Sequence, residues 1–244
     1  MKHRRVRITI ALAAAALVAL GGTAVALQPP GGRQRAEAKR LEAATVIIEV
    51  NGTAGDAGLQ FFVDGEPWKS MTVFGPNGRR VVAVHARGRL HDFGLTELFS
   101  ESNEPPFSEL PLRRFLRRFP AGTYTFRGTA IDGQPLAGRA RLSHAIPRGP
   151  RILAPADGAV TGRRGVVVRW AARPQPPGVH VNGYRLIVTR EEPLRILQVE
   201  LPARVHAIPV PAGFLQRGTE YQVEIQAIEQ HGNWTFSESS FTVR

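Results

Sequence analysis

The chain has no cysteine. That excludes disulfides, thiol nucleophiles, cysteine-ligated metals and a lipid-modified cysteine anchor. Acid is also scarce: 20 Asp and Glu stand against 32 Lys and Arg, for a formal charge of +12. There is no His-Glu-x-x-His, Gly-x-Ser-x-Gly, phosphate-loop or Gly-x-Gly-x-x-Gly pattern. Zinc-protease, serine-hydrolase, nucleotide-hydrolase and dinucleotide chemistry therefore have no sequence carrier. The histidines, at 3, 85, 91, 144, 180, 206 and 231, stand at no ligand spacing from one another. We expect no catalytic residue, no cofactor and no enzyme.

What is present begins with an export leader. Lys2, His3, Arg4, Arg5 and Arg7 form a basic start, and Ile8 to Leu27 is apolar and Ala-rich. Ala24-Val25-Ala26 is a small-x-small cleavage pattern. Residues 1–26 are expected to be a signal peptide, or alternatively an uncleaved anchor through Ile8–Leu27, a segment about 20 residues long and just able to span a bilayer. The expected location is secreted, periplasmic or at the cell surface, with single-pass anchoring as the alternative. Four of the positive charges lie in the leader, which leaves +8 on the mature chain. Such a chain is drawn to anionic surfaces: headgroups, wall polymers, acidic glycans. Export argues against a nucleic-acid partner. Arginine far outnumbers lysine, and Ala, Gly and Pro abound, as in GC-rich bacterial coding.

After the leader the pattern is that of β-strands. Residues 27–44 read as a linker, with Arg33 to Ala44 able to form a short helix. Residues 45–146 read as a first β-domain. Thr45 to Val50 is β-branched, Leu59 to Val63 is a second run bounded by Asp64-Gly65, and Asn77-Gly78 signals a hairpin between Met71–Phe74 and Val81–His85. Ser108 could cap a helix running to about Phe119. Gly122-Thr123 leads into alternating Tyr124 and Phe126 and an Asp132-Gly133 turn. Ile146 to Pro150 is a rigid joint. Residues 147–244 then carry about seven short runs punctuated by turns, as an immunoglobulin-like sandwich requires. Tyr221, Val223, Ile225 and Ala227 alternate with Gln222, Glu224 and Gln226, the mark of a strand buried on one side. The fold class expected is all-β: two tandem immunoglobulin-like sandwiches behind the leader.

The second half resembles a fibronectin type III domain. The resemblance is carried by Pro150 to Gly158, Trp170, Tyr184, the Leu215-x-x-Gly218-Thr219-x-Tyr221 corner, Ala227 to Asn233 and the Pro-rich Arg173 to Gly178. It covers residues 150–244. It implies a module that binds or spaces, in an exported bacterial protein. No Arg-Gly-Asp tripeptide occurs, so that adhesion mode has no support. Residues 45–146 do not match the type III pattern and read only as immunoglobulin-like.

Three groups of residues are candidate sites. Asp92, Glu97 and Glu101, in an acidic loop with Glu104 and Glu109, could offer oxygens to calcium. Their spacing matches no EF-hand, and the simpler reading pairs them with nearby arginines. Arg113, Arg114, Arg117 and Arg118 would share the solvent face of a helix whose other stripe is Leu112, Phe115, Leu116 and Phe119. They could meet an anionic polymer or membrane surface, or simply be solvated on a corner helix. Trp68 and Trp234 could be partly exposed sugar-stacking platforms, with edge packing as the simpler reading. Asn51-Gly52-Thr53 and Asn233-Trp234-Thr235 match the glycosylation pattern, which a bacterial source would leave without meaning. The expected role is a non-enzymatic binding or spacer protein of the cell envelope or extracellular space, with a protein or polysaccharide partner. The alternatives are an accessory module of a secreted glycan-degrading system and a membrane-anchored assembly or receptor protein.

Overall fold

The structure, a computed structural model, describes residues 37–244. The leader, and with it the question of cleavage or anchoring, lies outside the described residues. In chain order the elements are β1 (Lys39–Arg40), β2 (Ala43–Asn51), β3 (Asp56–Phe74), β4 (Arg80–His85), a 3-10 turn (Gly88–Leu90), β5 (Leu95–Glu101), α1 (Leu112–Arg118), β6 (Gly122–Ala130), β7 (Pro135–Leu142), β8 (Arg151–Ala154), β9 (Ala159–Thr161), β10 (Val167–Ala171), β11 (Val181–Arg190), β12 (Arg195–Pro202), β13 (Ala207–Pro209), β14 (Thr219–Glu229) and β15 (Trp234–Val243). The fold class is all-β, as expected. Among the described residues no helix is long and apolar enough to cross a membrane.

The chain divides into two compact units, neither of them one continuous stretch. The first contains the described residues up to Thr45, then Phe61–Ser100 and Tyr124–Ala140. Its sheet runs β1-β7-β6-β3, with β4 also paired to β3. Alternation along β6 sends Tyr124 and Phe126 inward and leaves Arg127 exposed. Trp68, Val73, Phe126 and Leu136 are buried in this unit, each contributing about 1.5–3 kcal/mol relative to exposure. The Asn77-Gly78 hairpin forms: Gly78 takes φ +74°, and the Asn77 side-chain oxygen accepts from the Arg79 N–H.

Two local expectations fail in this region. Residues 37–44, expected in a short helix, hold β1 and the start of β2 instead, while 33–36 lie outside the described residues. Pairing and burial outweigh helix propensity here: β1 aligns parallel with β7, and Leu41 is buried. The Asp64-Gly65 pair, expected to end a strand, lies inside β3, which runs for 19 residues. A Cβ on Gly65 would stand 2.9 Å from Leu41 Cδ2, so this glycine permits close packing rather than a turn. The strand absorbs its irregularity between Trp68 and Ser70, where the register with β6 shifts.

The second unit contains Val46–Gln60, Glu101–Thr123 and Arg141–Arg244. Its two sheets are β13-β10-β8 and β15-β14-β11-β12, with β9 paired to β15. Trp170, Leu186, Val188, Tyr221, Val223, Ile225 and Phe241 fill the space between them. The tyrosine corner is made. Tyr221 donates its hydroxyl to the Phe214 carbonyl at 3.3 Å and accepts from the Gln216 N–H at 2.7 Å, over a buried Leu215. Strand β2 joins this unit by pairing parallel with β15, Glu49 opposite Trp234.

Helix α1 begins at Leu112, with Pro111 at the N-cap and no side-chain cap bond, rather than near Ser108. Pro111 stands just before the helix with a non-helical ψ of 140°, and Pro120 follows the end, where a proline cannot continue a helix. Phe115 is its buried residue and lies 5.1 Å from the Phe119 ring, while the four arginines are exposed.

Candidate functional site

A buried carboxylate sits on the outer face of the second unit's larger sheet. Glu49 interrupts the apolar run Val46-Ile47-Ile48-Glu49-Val50, and alternation puts it opposite Ile48 and Val50. It is 6% exposed. Its Oε2 accepts from Gln60 Nε2 at 2.8 Å and from Trp234 Nε1 at 2.6 Å. Gln60 Nε2 also donates to Glu101 Oε1 at 2.8 Å. One oxygen each from Glu49, Glu101 and Glu104 lie within 4.8 Å of one another. Three acids so close cannot all ionise cheaply. Burial first, then the carboxylates of Glu224, Glu101 and Glu104, push the Glu49 carboxyl well above the usual carboxylate range, and the Trp234 hydrogen bond works against that rise.

The polar array continues along β14 and β11. Arg185, 6% exposed, donates through Nε to the Glu200 carboxylate and through Nη1 to Gln226 Oε1 at 2.6 Å. Gln226 Nε2 donates to Glu224 Oε1 at 2.6 Å. The Arg185 guanidinium lies 5.2 Å from the centre of the Trp234 ring. Chemically, the three clustered carboxyls can share a proton or offer oxygens to a hard divalent cation.

The residues expected from the sequence fall in several places. Glu101 joins the cluster, but neither Asp92 nor Glu97 does. Both are exposed, and Asp92 faces its neighbour His91, with Nδ1 and Oδ1 2.8 Å apart. The proposed calcium set therefore does not assemble: Asp92 lies outside β5, and Glu97 shares a strand face with Glu101 but stands four residues along the strand from it and is not in the cluster. Among the described residues the nearby arginines of α1 make no ion pair with Asp92 or Glu97 either. Trp68 is not partly exposed: it is fully buried, and its Nε1 donates to the Thr96 carbonyl at 3.2 Å. The turn expected before it does not form: Trp68 lies inside the continuous strand β3, paired with Ala130 of β6, and its ring is held in the core. Trp234 is half-buried, with its N–H spent on Glu49. Arg113, Arg114, Arg117 and Arg118 share the exposed face of α1 as expected. Both sequon asparagines are buried structural groups. Asn51 Oδ1 accepts from the Thr53 and Ala54 N–H groups, and Asn233 bonds to the backbone of Ile48, Ser143 and Ala145.

Glu104, a member of the acidic loop read from the sequence, joins the cluster with Glu101, while Glu49, Gln60 and Arg185 were not foreseen. A signal existed for Glu49 and Gln60, since each is a lone polar residue within an apolar β-run. Nothing local marked Arg185.

No family model matches the chain, and no curated protein does. Among solved structures, a tetra-tandem repeat from the extending region of a large adhesion protein is 16% identical, with a TM-score of 0.29. That match covers 83% of this chain and 50% of the other, so the chain spans about half that structure's length. A two-domain fibronectin type III segment of chicken tenascin is 14% identical, with a TM-score of 0.26, covering 82% and 96%. A biofilm-associated protein BSP domain is 15% identical, with a TM-score of 0.25, covering 84% and 30%. Likeness at this level carries no argument about function.

Proposed function

We propose that the chain is an exported, non-enzymatic binding or spacer protein of the cell envelope or extracellular space, whose partner is a protein or a polysaccharide. The observation that supports this reading is how α1 is held. Phe115 is buried while Arg113, Arg114, Arg117 and Arg118 project outward, a block of positive charge on a fixed scaffold. The carboxylates best suited to acid–base chemistry are instead tied to Gln60 and Trp234, which points to a structural use. Positive charge speeds encounter with anionic partners and leaves the choice of partner to loops and sheet faces.

The test is capture from the source organism's envelope and culture medium on the immobilised chain, washed at low and at high salt. Retention of one protein or one polymer at high salt is expected. Loss of everything as salt rises would leave charge attraction alone and favour the spacer role or the accessory role in a glycan-degrading system. The mass and N-terminus of the native protein decide between cleavage and anchoring. An intact Ile8–Leu27 would move the reading to a membrane-anchored receptor or assembly protein.

A further inference from the structure

The first unit carries a second basic surface that the α1 arginines do not explain. Arg40 comes from β1, Arg139 from β7 and Arg127 from β6, three strands adjacent in the sheet. Parallel pairing sets Arg40 opposite Ala137, on the same face as Arg139 two residues on. The β6–β7 hairpin closes with the Ala130 N–H donating to the Gln134 carbonyl. With Tyr124, Phe126 and Leu136 facing the core, Thr125 and Arg127 are left on the outer face with Arg139.

All three arginines are exposed, and all three line one open groove of about 810 Å³. Among the described residues none of them forms an ion pair. Arg127 is steadied by the Phe74 ring, 5.6 Å from its guanidinium carbon. Glu42 and Asp64 also line the groove, and neither pairs with these arginines. Thr45 and Thr125 add hydroxyls.

We propose that this groove binds an anionic polysaccharide, with Arg40, Arg127 and Arg139 holding its carboxylate or sulfate groups and Thr45 and Thr125 meeting sugar hydroxyls. The proposal rests on the reading of the chain as an exported binding module. Neighbouring strands lie about 5 Å apart, so the charges form a row that an extended polymer with repeated acidic groups can follow. Guanidinium pairs with carboxylate or sulfate in a two-pronged geometry. A lipid surface suits the groove less well. The large exposed apolar side chains of this unit, Leu90, Phe93 and Ile131, lie outside its lining, and the charges stand in a recess.

The test measures binding of the full chain to alginate (carboxylated), heparin (sulfated), neutral dextran and phosphatidylglycerol vesicles. Alginate or heparin is expected to bind and dextran not to. The R40S/R127S/R139S variant should bind the acidic polymer about tenfold more weakly, three charged contacts each adding a modest share. Its far-UV dichroism and melting temperature should match the parent, because all three side chains are exposed. R40K/R127K/R139K keeps the charge and loses the fork, so its binding should fall between the two. The control is R163S/R164S/R217S, which removes the same number of exposed charges from the second unit. An equal loss in that control would overturn the groove and leave net charge. Binding to vesicles but not to either acidic polymer would assign the surface to lipid and overturn the proposal. No binding to any probe, alongside specific capture in the salt-wash experiment, would overturn the groove while the binding-module reading stood.

Discussion

Trp234 donates its indole N–H to the Glu49 carboxyl at 2.6 Å, across the parallel pair between β15 and β2. The two residues are 185 positions apart. The contact ties an early strand to the last strand of the sandwich and places a carboxyl where water is excluded. Gln60 supplies a second donor to the same oxygen, so Glu49 is oriented as well as buried.

The pH dependence of stability follows from that burial. The folded-state Glu49 carboxyl holds its proton to a higher pH than the unfolded one, whose ordinary value is 4.5. Between those two values the native state binds the extra proton. Stability from this group is therefore full below pH 4.5 and falls as pH rises towards the folded value. Glu49→Gln keeps an acceptor for Trp234 and Gln60 and removes the charge. It is expected to be at least as stable as the parent at pH 8 and to flatten the decline that sets in above pH 4.5, read by urea unfolding. A variant less stable at pH 8 with the decline intact would show that Glu49 is ionised and satisfied in the native state.

Asn233 serves as a clasp. Its Oδ1 accepts from the Ile48 N–H at 2.8 Å, and its Nδ2 donates to the Ser143 carbonyl, the Ser143 hydroxyl and the Ala145 carbonyl. Asn233→Ala orphans buried backbone groups and should cost about 2–4 kcal/mol. Hydrogen exchange should show the Ile48 amide losing protection first. A cost under about 0.5 kcal/mol would mean that water replaces the side chain.

Tyr221→Phe deletes one hydroxyl and leaves the ring, which stacks on Phe241 with centroids 5.4 Å apart. It removes both corner bonds and should cost about 1–2 kcal/mol. Core packing stays intact, so the urea slope should not change. An altered slope would mean that the corner shapes the whole sandwich rather than one loop.

Trp68 and Trp234 should separate cleanly. Trp68→Ala opens a cavity in the first unit and should cost about 3–5 kcal/mol. Trp234→Phe keeps much of the packing and loses the Glu49 bond, so about 1–2 kcal/mol is expected. If Trp68→Ala left the melting temperature unchanged but abolished binding to a sugar polymer, the burial described for Trp68 would be wrong.

What could be read in advance was local. Strict alternation around Tyr221 and Tyr124, the Asn77-Gly78 and Asp132-Gly133 turns and the tyrosine corner all follow a period-2 or turn rule within a dozen residues, and the structure has them. The helix of α1 was legible from its apolar stripe, though not its start at Leu112. The acidic loop was visible as composition, but composition does not say which of its acids meets Glu49 from β2.

The sequence by itself determined that this is an all-β chain, that its second half is a sandwich closed by a tyrosine corner, and that its exposed charge is basic. Only the tertiary structure decided that β2 pairs with β15, that Glu49 meets Trp234 and Gln60, that Trp68 goes inside, and that Arg40, Arg127 and Arg139 share one groove. Strand periodicity is set by neighbours in the chain and survives reading as text. Strand partnership and register are set by which surfaces bury best across long loops, and that choice belongs to the whole chain at once.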